Sequence, residues 1–151
     1  ADLLGVAVGE RAELRAVRAA VLELRRGKGM VVDPADPESV SAGSFFTNPI
    51  LDADAFAALA ARTAPQRPPA WPEPDGRVKT SAAWLIARAG FERGLTRGRV
   101  GISRKHTLAL VNRGGATTAE LVALAREIAA GVQRAFGVTL VPEPVFVGHA
   151  W

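Results

Sequence analysis

Apolar positions recur at helical spacing in four stretches of the chain, and short strand-like runs separate them. From Glu10 to about Arg26, Leu14, Val17, Val21 and Leu24 line one face while Glu and Arg fill the other. That pattern predicts an amphipathic helix with Gly27 and Gly29 near its C-terminal end and Lys28 just past it. Asp52 as an N-cap, followed by Phe56, Leu59 and Ala60, predicts a second helix to about Arg62. Thr80 or Ser81 caps a third, Ala82 to Ala89, with Trp84, Leu85 and Ala89 inward and Gly90 as its stop. The longest pattern begins with Thr117 and Glu120 at capping-box spacing. It continues through Leu121, Leu124, Ala125, Ile128, Val132 and Phe136, and Gly137 ends it.

Between the helices, Met30 to Val32 reads as a short buried strand, and Asp33 to Ser39 is acidic, proline-containing loop chemistry. Phe91 to Gly98 is a Gly- and Arg-rich turn. Val100 to Ile102 and Thr107 to Val111 are strands, the second apolar on both faces as a central strand is. Regular geometry there puts His106, Leu108 and Leu110 on one face. Val138 to Val147 is a strand pattern broken by Pro142 and Pro144, which sets Glu143 at an edge or a break in pairing. The prolines of Thr63 to Gly76, which surround Trp71, forbid regular structure. This segment is expected to be an ordered surface loop rather than a linker, because Trp71 is costly to leave in water and too little chain flanks it for two good cores. Helices and strands alternate without a regular βαβ rhythm, so the expected fold is α+β: a single domain with a small mixed sheet covered by helices.

Composition narrows the class. A chain of 151 residues, 48% hydrophobic and 23% charged, fits one soluble globular domain. No apolar run approaches the roughly 20 residues of a membrane span, and the N-terminus lacks a signal-peptide layout, so the expectation is no membrane and a cytoplasmic location. With no cysteine and only His106 and His149, disulfides, thiol chemistry and a His/Cys metal cluster are excluded. A net charge of +4 raises nucleic acid as a partner. The cations are dispersed, however: Arg11, Arg15, Arg18, Arg25 and Arg26 on a helix face, and one denser stretch from Arg88 to Lys105. That stretch is a solvated face or the seat of a small anion such as a diphosphate, and nucleic acid is not expected. Ala1 stands where an initiating Met would, as in a processed product or a piece of something longer.

Four places carry candidate chemistry. Ser41 to Pro49 packs a serine, two phenylalanines and an asparagine behind Gly43, as either an ordinary strand end or a polar pocket floor. Trp71 is either an anchor for its loop or a stacking platform for a ligand. His106 is a core or end-capping residue, or a ligand contact in company. Glu143 in an extended chain shares a face with Val141, Val145 and Val147. A carboxylate on such a face is costly unless partnered, so it is either a functional group or a solvated edge residue.

The segments Ser41 to Pro49, Lys79 to Phe91, Ser103 to Ala125 and Phe136 to Gly148 resemble, in order and spacing, the UDP-N-acetylenolpyruvoylglucosamine reductase family, over its C-terminal substrate domain. The resemblance implies the substrate-binding and proton-donating half of a UDP-N-acetylmuramate dehydrogenase of peptidoglycan synthesis. It implies FAD and NADPH in the full-length enzyme, and a flavin domain with a catalytic arginine that has no counterpart here. It also implies UDP-N-acetylglucosamine enolpyruvate as substrate, with Ser44 as proton donor to the α-carbon. Glu143 is then the catalytic glutamate at the substrate carboxylate, its proton retained or shared. Lys28, Asn48 and His106 are implied as UDP-sugar contacts, and Trp71 and Arg93 as an aromatic and a base near the diphosphate or uridine. Thr47 stands where many members carry lysine, Ala87 where an acid is common, Pro144 follows the glutamate, and the chain has no tyrosine.

Two readings of different class follow. The chain is the substrate half of a reductase, with no cofactor bound by itself and no activity alone, or it is a stand-alone nucleotide-sugar binding or regulatory module. No glycine-rich dinucleotide fingerprint is present, and Gly114-Gly115 is not a phosphate loop, because no Lys-Ser/Thr follows it.

Overall fold

The strands that the sequence reads most clearly sit at the centre of the molecule. The computed structural model describes residues 1–151. Its helices are α1 (Leu14–Gly27), α2 (Ala53–Thr63), α3 (Ala82–Arg88) and α4 (Thr118–Phe136). Its strands are β1 (Ser41–Ser44), β2 (Ile50–Leu51), β3 (Trp71–Pro72), β4 (Val78–Lys79), β5 (Thr96–Arg97), β6 (Val100–Ile102) and β7 (Ala109–Asn112). One sheet runs β1-β7-β6-β5 and the other β2-β4-β3. The class is α+β, as expected. Every strand pair is antiparallel, so two antiparallel sheets replace the single mixed sheet of the sequence reading.

Central position explains the composition of β6 and β7: Val100, Gly101 and Ile102 face Asn112, Val111 and Leu110 in register, and all but Asn112 are buried. Helices α3 and α4 pack on each other, and α4 packs on both central strands. Leu85 and Ile86 of α3 meet Leu124, Ile128 and Val132 of α4 in one core with Val100, Ile102, Phe45 and Phe46. Gly131 is required there, since a Cβ would run into the ring of Phe91. The Thr117 hydroxyl and Glu120 carboxylate close the start of α4 as a capping box, and Gly137 ends it with φ 72°.

Four sequence expectations are corrected. Met30 to Val32 is not a buried strand: Val32 is 88% exposed. The segment finds no sheet edge, because the Met30 N–H turns back to the Arg25 carbonyl and the Asp33 N–H to Ser39 Oγ. The proline-rich segment is ordered, but it is not devoid of regular structure. Pro72 lies in edge strand β3, where its missing N–H leaves the pairing with β4 possible. The Phe91 to Gly98 turn contains β5, at the other sheet's edge. Val138 to Val147 forms a single bridge, Phe46 to Pro142, since the two prolines remove the donors a longer ladder needs.

Helix α1 forms within the expected span, yet none of its residues is buried. Leu14 is 80% exposed and Leu24 56%. Its apolar stripe touches the short 3-10 turn Asp2–Leu4 and leaves the core of the domain to others. No helix is long and apolar enough to cross a membrane.

Candidate functional site

Ser44 closes β1 opposite Ala109 of β7, after an irregularity in the pairing where Gly43 takes φ 81°. A residue with a side chain resists that left-handed backbone, so the glycine sets the direction in which Ser44 and the two phenylalanines leave the strand. Phe45 then joins two segments: its N–H donates to the Leu108 carbonyl at 2.8 Å, and its carbonyl accepts from the Glu143 N–H at 2.9 Å. The Thr47 N–H donates to the Val141 carbonyl at 3.0 Å. Ser44 and Glu143, nearly a hundred residues apart in the sequence, thus flank the same buried phenylalanine. Behind them Phe45, Phe46, Phe146 and Trp151 pack edge-on and tilted, with ring centroids 5.1 to 6.4 Å apart.

Glu143 does share a face with Val141, Val145 and Val147, but that face points outward and all four residues are exposed. The carboxylate is open to solvent in this chain. The apolar surroundings expected of a strand face are absent, because the prolines peel this segment off the sheet edge.

A cationic group forms around His106, three residues before the β7 partner of Ser44. The half-buried His106 accepts the Leu108 N–H on Nδ1 at 3.2 Å, which leaves the proton of the neutral ring on Nε2. Its pKa lies below the usual histidine value, first because burial disfavours the imidazolium and then because Lys28 and Arg93 repel it. Arg93 and Arg104, with Ala87, Glu92 and Thr107, line an adjoining cavity of about 500 Å³. Lys28, Arg93 and His106 are therefore brought together from the end of α1, the turn after α3 and the approach to β7.

Asn48 and Trp71 are placed differently. Asn48 Oδ1 accepts the Ala82 N–H at 3.0 Å, which caps α3 together with Ser81. Its amide nitrogen is what remains for a ligand. Trp71 pairs with Lys79 in the second sheet, is 49% exposed, and does not line the cationic cavity. It is no anchor for its loop either. That task falls to Thr80, whose hydroxyl donates to the Pro69 carbonyl at 2.8 Å and whose N–H donates to Pro49.

Sequence reasoning passed over Arg104 and Glu38. Arg104 carried a signal, its place in the dense Arg88 to Lys105 stretch. Glu38 carried none, standing among the loop acids Asp33 and Asp36, yet it is 4% exposed. Its Oε2 accepts the Arg104 N–H at 2.7 Å and its Oε1 the Arg113 guanidinium at 3.1 Å. Burial alone would raise its pKa, but the Arg104 N–H, the Ser103 hydroxyl and Arg113 together hold it below the usual carboxylate value. No group of three or more His, Asp or Glu side chains is placed to hold a metal ion.

Residues 34–147 match the family model of the UDP-N-acetylenolpyruvoylglucosamine reductase C-terminal domain. The chain is 66% identical over 150 residues to a UDP-N-acetylenolpyruvoylglucosamine reductase of Thermobifida fusca, covering 96% of this chain and 42% of that protein. Proteins of the same name from Streptomyces coelicolor and Mycobacterium marinum are 60% and 53% identical, covering 99% and 97% of this chain and 40% of each relative. The chain thus spans about two fifths of the length of the curated relatives it matches. With a domain model matched over most of its length and relatives this similar, the chain belongs to the UDP-N-acetylenolpyruvoylglucosamine reductase family, in the region of its C-terminal domain.

Proposed function

We propose that this chain is the substrate-binding and proton-donating part of an oxidoreductase that reduces the enolpyruvyl ether of UDP-N-acetylglucosamine to UDP-N-acetylmuramate. Two observations support the reading: the Glu143 N–H meets the Phe45 carbonyl, one residue from Ser44, and Lys28, Arg93, Arg104 and His106 gather as a cationic group. The diphosphate of the substrate lies against that cationic group, where guanidinium forks and an ammonium match its charge and geometry. Ser44 supplies the proton that the α-carbon of the enolpyruvyl group takes up when its double bond is reduced. A hydroxyl is a weak acid, so the developing enolate must be stabilised as the proton moves. Glu143 serves the substrate carboxylate, together with an arginine contributed from outside this chain.

The residues present do not fit a flavin dinucleotide. A pyrophosphate favours a free helix N-terminus, and each helix start here is already capped, that of α1 by Glu13. Glu120 Oε2 takes the Thr117 N–H at 2.7 Å at the start of α4, Asp52 caps α2, and Ser81 with Asn48 closes α3. NADPH and FAD are assigned in this reading to the part of the full-length enzyme outside these 151 residues.

The test uses both the chain and the full-length enzyme containing it. The chain alone binds UDP-N-acetylglucosamine enolpyruvate in calorimetry, stays colourless and does not oxidise NADPH. In the full-length enzyme Ser44→Ala lowers turnover by about 10²–10⁴-fold, the usual worth of a positioned proton donor. Flavin reduction by NADPH keeps its rate. Equal loss in both half-reactions contradicts the role of Ser44. Binding by the chain with no effect of Ser44→Ala on turnover leaves it as the substrate-binding part and removes its proton donation.

A further inference from the structure

The loop that carries Lys28 and the loop that carries Arg104 and His106 come from distant parts of the chain, and one buried carboxylate holds them together. Glu38, in the 3-10 turn Pro37–Ser39, has a side chain 5% exposed. It receives the Arg104 N–H at 2.7 Å, Arg113 Nη1 at 3.1 Å and the Ser103 hydroxyl. Arg113 in turn gives Nη2 to the Ile102 carbonyl at 3.2 Å and lies over Gly101, where a Cβ would come within 2.9 Å of its Nε. The same two loops are tied again on the surface, where Lys105 Nζ meets Asp36 Oδ2 at 2.8 Å. On the other side Gly29, with φ 67°, passes so close to Glu38 that a Cβ would lie 2.9 Å from its carbonyl oxygen. Lys28 thus directly precedes the glycine that packs against the Glu38 backbone.

We propose that Glu38 is a positioning residue for the anion-binding group: by joining the Ser103–Arg104 backbone and Arg113 to the segment that follows Lys28, it brings Lys28, Arg104 and His106 into one cradle. It touches no ligand and acts through the residues it holds. The consequence for affinity rests on the reading of this cradle as the seat of the substrate diphosphate, whereas the geometric claim does not. A surface ion pair such as Lys105 with Asp36 is too weak to hold the loops by itself. The buried carboxylate, with charge-assisted bonds from two elements, is rigid enough.

His106 reports the geometry. The chain has only two histidines, so its imidazole is readily followed by NMR titration. Lys28 and Arg93 repel its charged form, so parting the loops relieves that repulsion and raises its pKa. Removing a negative charge acts in the opposite direction, since the lost carboxylate had favoured the imidazolium. Glu38→Gln and Glu38→Asp are compared with wild type, and Ile128→Val in α4 serves as a destabilised control. A positioning role raises the His106 pKa in Glu38→Gln despite the lost charge. It also raises it in Glu38→Asp, which keeps the charge but shortens the arm and remains the informative variant should Glu38→Gln not fold. Affinity for UDP-N-acetylglucosamine, measured by calorimetry, falls about tenfold in Glu38→Gln and is unchanged in Ile128→Val. A His106 pKa that stays put or drops in both variants overturns the proposal, as does an equal loss of affinity in Ile128→Val. A raised His106 pKa in a chain whose wild type does not bind the nucleotide sugar upholds the positioning role and removes the diphosphate reading alone.

Discussion

His106 and Glu38 are harder to protonate in the folded chain than in the open one, and the sign of their effect on stability is the same. His106 has a folded pKa below 6.5, so the unfolded chain takes the proton first, and stability present above pH 6.5 is lost as pH falls through the folded value. Glu38 repeats this lower down: its contribution is complete above pH 4.5 and is lost as pH falls through its depressed folded pKa. A series of thermal melts from pH 8 downward is expected to decline in two stages, starting near 6.5 and near 4.5. His106→Gln abolishes the first stage and leaves the second, and a first stage that survives the substitution contradicts the assignment. Legibility at this scale depends on company. Ser44, Glu143 and His106 stood out as candidates only because separate segments matched one family pattern, and the exposure of Glu143 was not legible, since a valine-rich neighbourhood does not say which way its face points. Glu38 was illegible because burial of a loop acid depends on partners far away, Arg104 and Arg113.

Among the elements, α4, β6 and β7 are where the chain declared itself, through a capping box, a clear apolar stripe and runs apolar on both sides. The weaker elements were decided by tertiary pairing. Two-residue strands such as β3 and β5 have no local signature, and they exist because an edge was available. The N-terminus of α3 is closed in part by Asn48, which is also a proposed substrate contact. Asn48 spends its carbonyl on the Ala82 N–H and is left with an amide group directed to other uses. Asn48→Ala is expected to cost about 1 kcal/mol, the usual worth of a cap. For a chain of this size that is a drop of about 2–4 °C in Tm. Asn48→Asp keeps the accepting oxygen, so its Tm stays near wild type. Affinity for the nucleotide sugar still falls in Asn48→Asp, where a donor is replaced by a negative charge beside an anion. Unchanged binding by Asn48→Asp would confine Asn48 to capping.

At the scale of the whole molecule, the apolar stripe of α1 and the core of the domain are separate. An amphipathic pattern reveals that a helix has an apolar partner, but not where that partner lies, which is why Leu14, Val17, Val21 and Leu24 predicted the helix without predicting its open face. The matched domain model begins at residue 34, and the buried cluster draws on nothing before Phe45. Removing residues 1–27 therefore deletes a helix with no buried residue; it frees the Lys28, Gly29 and Met30 N–H groups from the Arg25 and Arg26 carbonyls and leaves the bonds of Glu38 to Arg104 and Arg113. The shortened chain is expected to melt within about 3 °C of the parent, a change of roughly 1 kcal/mol. Leu85→Ala, which empties a fully buried position between α3 and α4, is expected to cost about 2–5 kcal/mol. Hydrogen exchange should show the same division, with α1 amides exchanging at the rate of local fraying and those of β6 and β7 only through global unfolding. If α1 amides were as protected as those of β7, or if the shortened chain did not fold, the helix would have to be counted as part of the domain's own core.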